Sequence, residues 1–365
     1  MSRAAHLAGV AALVSGHLLG CSTSTEEPPA RTFEPLSAAP VGSTAAASAL
    51  PDSSGAPTGR VVLPASSGAP VVVPPTVHGV LPGGFADSVC PEGAPVRVAL
   101  LAPGATPRRA LRYAFKLGSR KTTVMQMQPE ISIDDADQPR SVNLPALELR
   151  VVLSVARPDA GEIRLAGKFL GVDLASGMPV DADPKPLQAA LASVRRQGFE
   201  IDVDDRGRQR AFRATGEDPS DPGPTQLIEQ MRQGLGALVV PLPDEEIGLG
   251  ATWQSVARVK GRTELVQFTT WTLKSLTGDV FEVEGHAELF AVTDKLELPA
   301  GGGTAKIGSF SSSGDGATTT ALDEVGPRAG RWNVRASVEV AASSGAVKMS
   351  SKILFEMGRG PKASP

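Results

Sequence analysis

The feature that most constrains this chain is a two-residue rhythm of apolar and polar side chains, recurring from residue 111 to residue 357. Leu147, Leu149, Val151, Leu153 and Val155 fall on one side of an extended segment, and Glu148, Arg150 and Ser154 on the other. Phe281, Val283, Ala287 and Leu289 oppose Glu282, Glu284, His286 and Glu288. Trp332, Val334, Ala336, Val338 and Val340 oppose Arg331, Asn333, Arg335 and Glu339, and Val347, Met349, Ile353, Phe355 and Met357 mark a last strand. Tyr113, Phe115 and Leu117 read as a first one. Successive side chains of a strand point to opposite faces, so this rhythm requires antiparallel strands with one buried and one wet face. Turn signals at Asp204–Gly207, Leu276–Asp279 and Ser343–Gly345 separate about ten to twelve such strands.

Two segments break the rhythm. Leu187, Leu191 and Val194 are spaced as on a helix, and Leu227, Ile228, Met231, Leu235 and Leu238 form a longer apolar stripe. The expected fold class is therefore mainly β within α+β. One large curved antiparallel sheet, an open barrel or a sandwich, would carry two short amphipathic helices. Residues 109–358 are the expected globular domain and 359–365 a disordered tail.

Ahead of it the composition changes. Residues 22–107 contain about half of the 31 Pro, and the string SSGAP occurs twice, at Ser53–Pro57 and Ser66–Pro70. So little apolar bulk cannot offset the entropy of ordering the chain. Residues 21–108 are thus expected to form a disordered tether, with a short extended piece at Val96–Leu101. The chain has two Cys, Cys21 and Cys90. The second reads as a free thiol in that tether, with an intermolecular disulfide as the alternative.

The first residues supply an address. Arg3 precedes an apolar run from Leu7 to Leu19, too short for a spanning helix and suited to a secretory signal. The run ends Leu18-Leu19-Gly20-Cys21 and passes into Ser, Thr, Glu and Pro. This resembles the lipobox of bacterial lipoprotein signals. The resemblance implies that residues 1–20 are a signal peptide and that Cys21 becomes the acylated first residue of the mature chain. Several acyl chains make a permanent membrane anchor. Ser22 in place of Asp favours the outer over the inner membrane of the cell envelope.

Leu111-Arg112-Tyr113-Ala114-Phe115-Lys116-Leu117-Gly118, and later Leu242-Pro243-Asp244-Glu245-Glu246-Ile247-Gly248-Leu249-Gly250-Ala251-Thr252-Trp253, carry a second resemblance. The order Tyr-x-Phe-x-x-Gly, then Leu-Pro-x-x-x-aliphatic-x-x-Gly-x-x-Trp, resembles a family of bacterial β-rich lipoproteins of unknown function. It covers about residues 111 to 357 and implies no catalytic residues. Read on its own chemistry, Leu242–Trp253 is a tight corner that buries Trp253, or else presents that ring to a ligand.

Chemistry is sparse. A net charge of −3 and 4% aromatics disfavour nucleic acid. His286 is the only His of the alternating region; no Gly-x-Ser-x-Gly or Ser-x-x-Lys motif occurs, and Gly301–Lys306 lacks the ending of a phosphate loop. Glu284, His286 and Glu288 share one strand face, where they are candidate metal ligands or a solvated polar stripe. Asp202, Asp204 and Asp205 suggest a calcium loop or a charged hairpin tip. The leading expectation is a non-catalytic, membrane-anchored domain without a cofactor that binds an envelope partner or plays a structural role in the envelope. The alternative is a carrier of lipid or another apolar ligand, with Met125, Met127, Met349, Met357 and Phe355 lining a groove. A hydrolase is the third.

Overall fold

A computed structural model describes residues 68–359 apart from 136–137, 144–145, 157–161, 175–191, 193, 196, 217–237, 260–262, 298–302 and 343–344. The described residues belong to one compact unit. In chain order they form helix α1 (Phe85–Val89) and strands β1 (Arg97–Ala102), β2 (Arg109–Ala110), β3 (Arg120–Asp135), β4 (Gln138–Asn143) and β5 (Leu147–Ala156). Next come β6 (Ile163–Leu174), β7 (Gly198–Val203), β8 (Gln209–Thr215), β9 (Glu246–Ile247), β10 (Thr252–Val259) and β11 (Leu265–Thr277). The last are β12 (Val280–Ala291), β13 (Lys295–Glu297), β14 (Thr304–Ala321), β15 (Ala329–Ala342) and β16 (Gly345–Arg359).

Fourteen of these strands join one sheet in the order β1-β10-β11-β12-β14-β15-β16-β3-β5-β6-β7-β8, with β13 beside β14 and β4 beside β3. Every pairing is antiparallel. Strands β2 and β9 make a separate two-stranded ribbon. The sheet is continuous, and it does not close into a barrel. Its edge strands approach at one hydrogen bond, from the Val96 N–H ahead of β1 to the Gln209 carbonyl of β8. Register shifts in β11, β14 and the β5–β6 pair curve it, since an extra residue in one strand bends the ladder.

The alternation explains the burial. Odd-numbered residues of β12, from Phe281 to Ala291, face inward and are buried. Phe281, Val283 and Ala287 join Met125 and Met127 of β3, the odd-numbered residues Leu147–Val155 of β5, Trp253 of β10, Trp271 of β11 and Trp332 of β15, while Leu289 and Ala291 join Ile131, Ile133 and Met349. Fully burying such side chains contributes about 1.5–3 kcal/mol each, which makes this inner face the main source of stability. Trp332 packs edge-on against Trp271 with ring centroids 5.6 Å apart, and its Nε1 donates to Thr318 Oγ1 at 3.1 Å. Room for that ring comes from Gly316 and Gly285: a Cβ on either would lie 2.3 Å or 2.4 Å from it.

Four expectations are corrected here. The ordered body starts well before residue 109. Residues 68–92, assigned above to the tether, lie on the outer face of β10 and β11, where Val71, Leu81, Ala86 and Cys90 bury Val256, Val266 and Phe268. The extended piece expected at Val96–Leu101 is β1. Cys90 is accordingly a buried free thiol, 1% exposed, and not part of a slack segment. Desolvation pushes its pKa up, opposed by nearby Arg258.

The segment Leu111–Leu117 alternates but is not a strand. Its amides bond across loops instead, Tyr113 N–H to the Asp205 carbonyl at 2.6 Å and Ala114 N–H to that of Leu322 at 2.7 Å. Asp202 and Asp204, expected at a charged tip, are 5% exposed. Asp204 Oδ1 accepts from the backbone N–H groups of Arg206 and Arg208, both at 3.0 Å, and its Oδ2 from Arg208 Nε at 2.7 Å. The carboxylate that a calcium loop needs is already used in closing the β7–β8 turn.

The two expected helices lie almost wholly outside the described residues; their last members, Val194 and Leu238, are buried in the core. Cys21 and residues 1–20 also lie outside them.

Candidate functional site

The outer face of the sheet, opposite the core, divides into two kinds of surface. Over β5–β8 it is covered by ion pairs. Arg164 Nε and Arg213 NH1 each meet Asp202 at 2.7 Å, and Arg150 meets Asp173 at 2.7 Å, with Arg195 on the same carboxylate. The Arg164 hydrogen bond, aided by Arg213, holds the Asp202 pKa below the ordinary carboxylate range despite burial.

Over β12, β14, β15, β16 and β3 the same face opens into a trough of about 670 Å³. Register places its lining in rows across the strands. Ser311 of β14 pairs with Ser337 of β15, Ser337 with Ser350 of β16, Ser350 with Ser132 of β3, and Ser132 with Ser141 of β4. Five serines thus form one ladder, spanning roughly 19 Å at the usual strand spacing. At its end the Ser132 and Ser141 hydroxyls stand 3.4 Å apart.

The next row reads Glu288, Ser313, Arg335, Lys352, Glu130 on the same successive strands from β12 to β3. All five side chains are exposed. The trough exists because the serines are short beside these long neighbours. Its wall is built by Thr76 and Gly79. Residues 78–81 are hydrogen-bonded to the ends of β12 and β14: Leu81 N–H donates to the Ala291 carbonyl, Ala291 N–H to that of Gly79, and Phe310 N–H to that of His78. Gly79 has a φ of 77°, and a Cβ there would stand 1.8 Å from the Phe310 carbonyl oxygen, so position 79 tolerates no side chain.

The residues singled out from sequence fall as follows. Trp253 is fully buried and its Nε1 donates to the Pro241 carbonyl at 2.7 Å, the geometry of a packing corner with no face left for a ligand. Met349 is 1% exposed, as is Met125; Met127 and Met357 are buried too, and Phe355, half-buried, packs on the core. The methionine groove is therefore occupied by the protein's own side chains.

Glu284, His286 and Glu288 do share the outer face of β12. Lys274 Nζ meets Glu284 at 3.0 Å, and His286 Nδ1 lies 2.6 Å from Asp315 Oδ1. Among the described residues no group of three or more His, Cys, Asp and Glu is placed to hold a metal ion. Of this trio only Glu288 reaches the trough. Sequence reading missed Arg335, Lys352 and the serines as a site. The signal is present, serines at outward positions of neighbouring strands, but it becomes a row only once the register is known.

No family model matches the chain, and no curated protein does. Among solved structures it is similar to lipovitellin, described for its lipid–protein interactions, at 10% identity and TM-score 0.38, covering 69% of this chain and 26% of that one. It is also similar to Rv2717c from M. tuberculosis, at 8% identity and TM-score 0.20, covering 67% and 92%. A third is an outer membrane channel from Pseudomonas putida F1, at 8% and 0.19, covering 67% and 97%. The chain spans about a quarter of the length of the lipovitellin chain it matches. Superpositions this loose carry no conclusion about activity.

Proposed function

We propose that this chain is a lipid-anchored binding module of the bacterial cell envelope: Cys21 carries the anchor, and the outer-face trough, not the interior of the sheet, contacts the ligand. The observation that carries the binding reading is the serine ladder beside Arg335 and Lys352, a hydroxyl-lined depression on a face that pairs its charges over β5–β8. The anchor rests on Leu18-Leu19-Gly20-Cys21, and the family resemblance rests on the Tyr113 and Trp253 motifs. The module acts by binding and not by turnover. A carrier of apolar ligands would need the methionines of β3 and β16 to open onto a cavity, and they are packed.

Two measurements test this reading. Mass spectrometry of the full chain made in a bacterium with two membranes should find a diacylglyceryl-modified Cys21 in the outer-membrane fraction. Cys21→Ser should remove it; an unmodified, freely soluble mature chain refutes the anchor. A thermal-shift survey of envelope saccharides and lipids should find a ligand whose stabilising effect disappears in Ser337→Trp, which fills the trough. A ligand still bound by that variant, or a lipid recovered from the interior by native mass spectrometry, refutes the site.

A further inference from the structure

The charges of the trough identify the class of ligand. Arg335 and Lys352 are direct cross-strand partners. Like charges opposite one another destabilise a sheet, because side chains so placed are about 5 Å apart at Cβ. Carboxylates flank the pair: Glu130 is the strand partner of Lys352, and Glu288 stands two strands from Arg335, across Ser313. Neither forms an ion pair with these cations. Among the described residues neither Arg335 nor Lys352 has any ion-pair partner, whereas Arg331 of the same strand takes Glu356 at 3.4 Å.

Two adjacent uncompensated cations, with the hydroxyls of Ser313, Ser337 and Ser350 on their strand partners and neighbours, make a place where one anionic group gains charge-assisted bonds and relieves repulsion. We propose that Arg335 and Lys352 are an anion clamp for the phosphate of a polyol phosphate, whose hydroxyl-bearing part lies along the serine ladder. This rests on the trough being the binding surface.

The arrangement limits the ligand in two ways. The cations occupy two adjacent strands only, and acidic side chains stand on both flanks of that row, so a long polyanion meets repulsion at each end. One isolated phosphate fits. Its hydroxylated remainder can donate to Glu130 and Glu288 and exchange hydrogen bonds with the serines, whose hydroxyls both donate and accept. The same chemistry is present in a free sugar phosphate and in the glycerophosphate headgroup of an anionic lipid.

The test uses the full chain carrying Cys21→Ser, so that no acyl group contributes. Calorimetric titration compares glucose 6-phosphate, inorganic phosphate and glucose, and sedimentation compares vesicles of phosphatidylglycerol with vesicles of phosphatidylcholine. Glucose 6-phosphate should bind more tightly than either phosphate or glucose alone, and more weakly as salt rises. Arg335→Gln and Lys352→Gln should each weaken it about tenfold, the scale of one charge-assisted bond. Without ligand, neither variant should melt below the parent, since each removes a repulsion. Co-sedimentation with phosphatidylglycerol alone, lost in the same variants, assigns the clamp to a lipid headgroup. Binding of glucose 6-phosphate without vesicle binding assigns it to a soluble phosphate.

Equal affinity for glucose and its phosphate, or unchanged affinity in both variants, overturns the clamp and leaves the trough reading standing. Absence of binding by every probe also overturns the clamp. The trough reading is then decided by whether Ser337→Trp abolishes the ligand found in the thermal-shift survey.

Discussion

The two halves of the outer face solve one problem in opposite ways. Over β5–β8, Arg150, Arg164, Arg195 and Arg213 are matched to Asp173, Asp202 and Glu200, and Asp202 is buried beneath its partners. Over β14–β16, Arg335 and Lys352 stand together with no ion-pair partner among the described residues, and the row beside them is stripped down to serine. Strand geometry is the same in both halves. The difference therefore lies in side-chain choice, and it separates a surface whose charges are matched within the sheet from one that leaves two adjacent cations unmatched among the described residues.

The comparison can be attacked from its foundation outward. On the inner face of β15, the strand that also carries Arg335 and Ser337, lies Trp332, so Trp332→Ala should cost about 4 kcal/mol in urea unfolding. A cost below about 1 kcal/mol would mean that the inner face does not support the trough. Next comes the paired half: Asp202→Ala, which leaves Arg164 and Arg213 only the longer contacts to Glu200 at 3.5 Å and 4.0 Å, should cost about 2 kcal/mol, the range for lost bonds between charged groups.

Acid should expose the same dependence. The folded-state pKa of Asp202 is depressed, as are those of Asp173 by Arg150 and of Glu324 by Arg328. Their contribution is present above the unfolded value of about 4 and is lost as pH falls through the depressed folded values. The urea midpoint should hold from pH 7 to about 5 and fall below about 4, less steeply in Asp202→Asn. A midpoint that is flat to pH 2.5 would show that these pairs contribute nothing.

At the unpaired half the effects shrink and change sign. Lys352→Gln should stabilise the ligand-free chain by a few tenths of a kcal/mol at low salt, with the gain fading at high salt. Ser337→Ala should fall within about 0.5 kcal/mol of the parent. A loss near 2 kcal/mol in either would return the trough to the category of structural surface.

Much of the sheet was legible because its strands have one wet face. Phe281–Ala291, Leu147–Val155 and Trp332–Val340 read as strands and are strands, and the Leu242–Trp253 corner buries its ring as chemistry requires. Leu111–Leu117 misled for a physical reason: an extended segment crossing loop ends alternates like a strand, but its amides find carbonyls outside any ladder. Residues 68–92 misled because Pro and Gly hide the few apolar contacts, those of Val71, Leu81 and Cys90, that fasten them. The trough was illegible in principle. Each serine is unremarkable in its own strand, and only the pairing of Ser311, Ser337, Ser350 and Ser132 across four strands turns them into a line.

The wall made by Thr76 and Gly79 has a mechanical corollary. That stretch is fastened to β12 and β14 through a few backbone bonds, and it enters the body from the N-terminal side. Upstream of the wall, the Gly68 N–H donates to the Val98 carbonyl and Val71 exchanges two hydrogen bonds with the Gln254 side chain, so a pull on the preceding residues meets those fastenings first. The rim of the depression is thereby insulated from the preceding residues by a second set of moorings on β1 and β10.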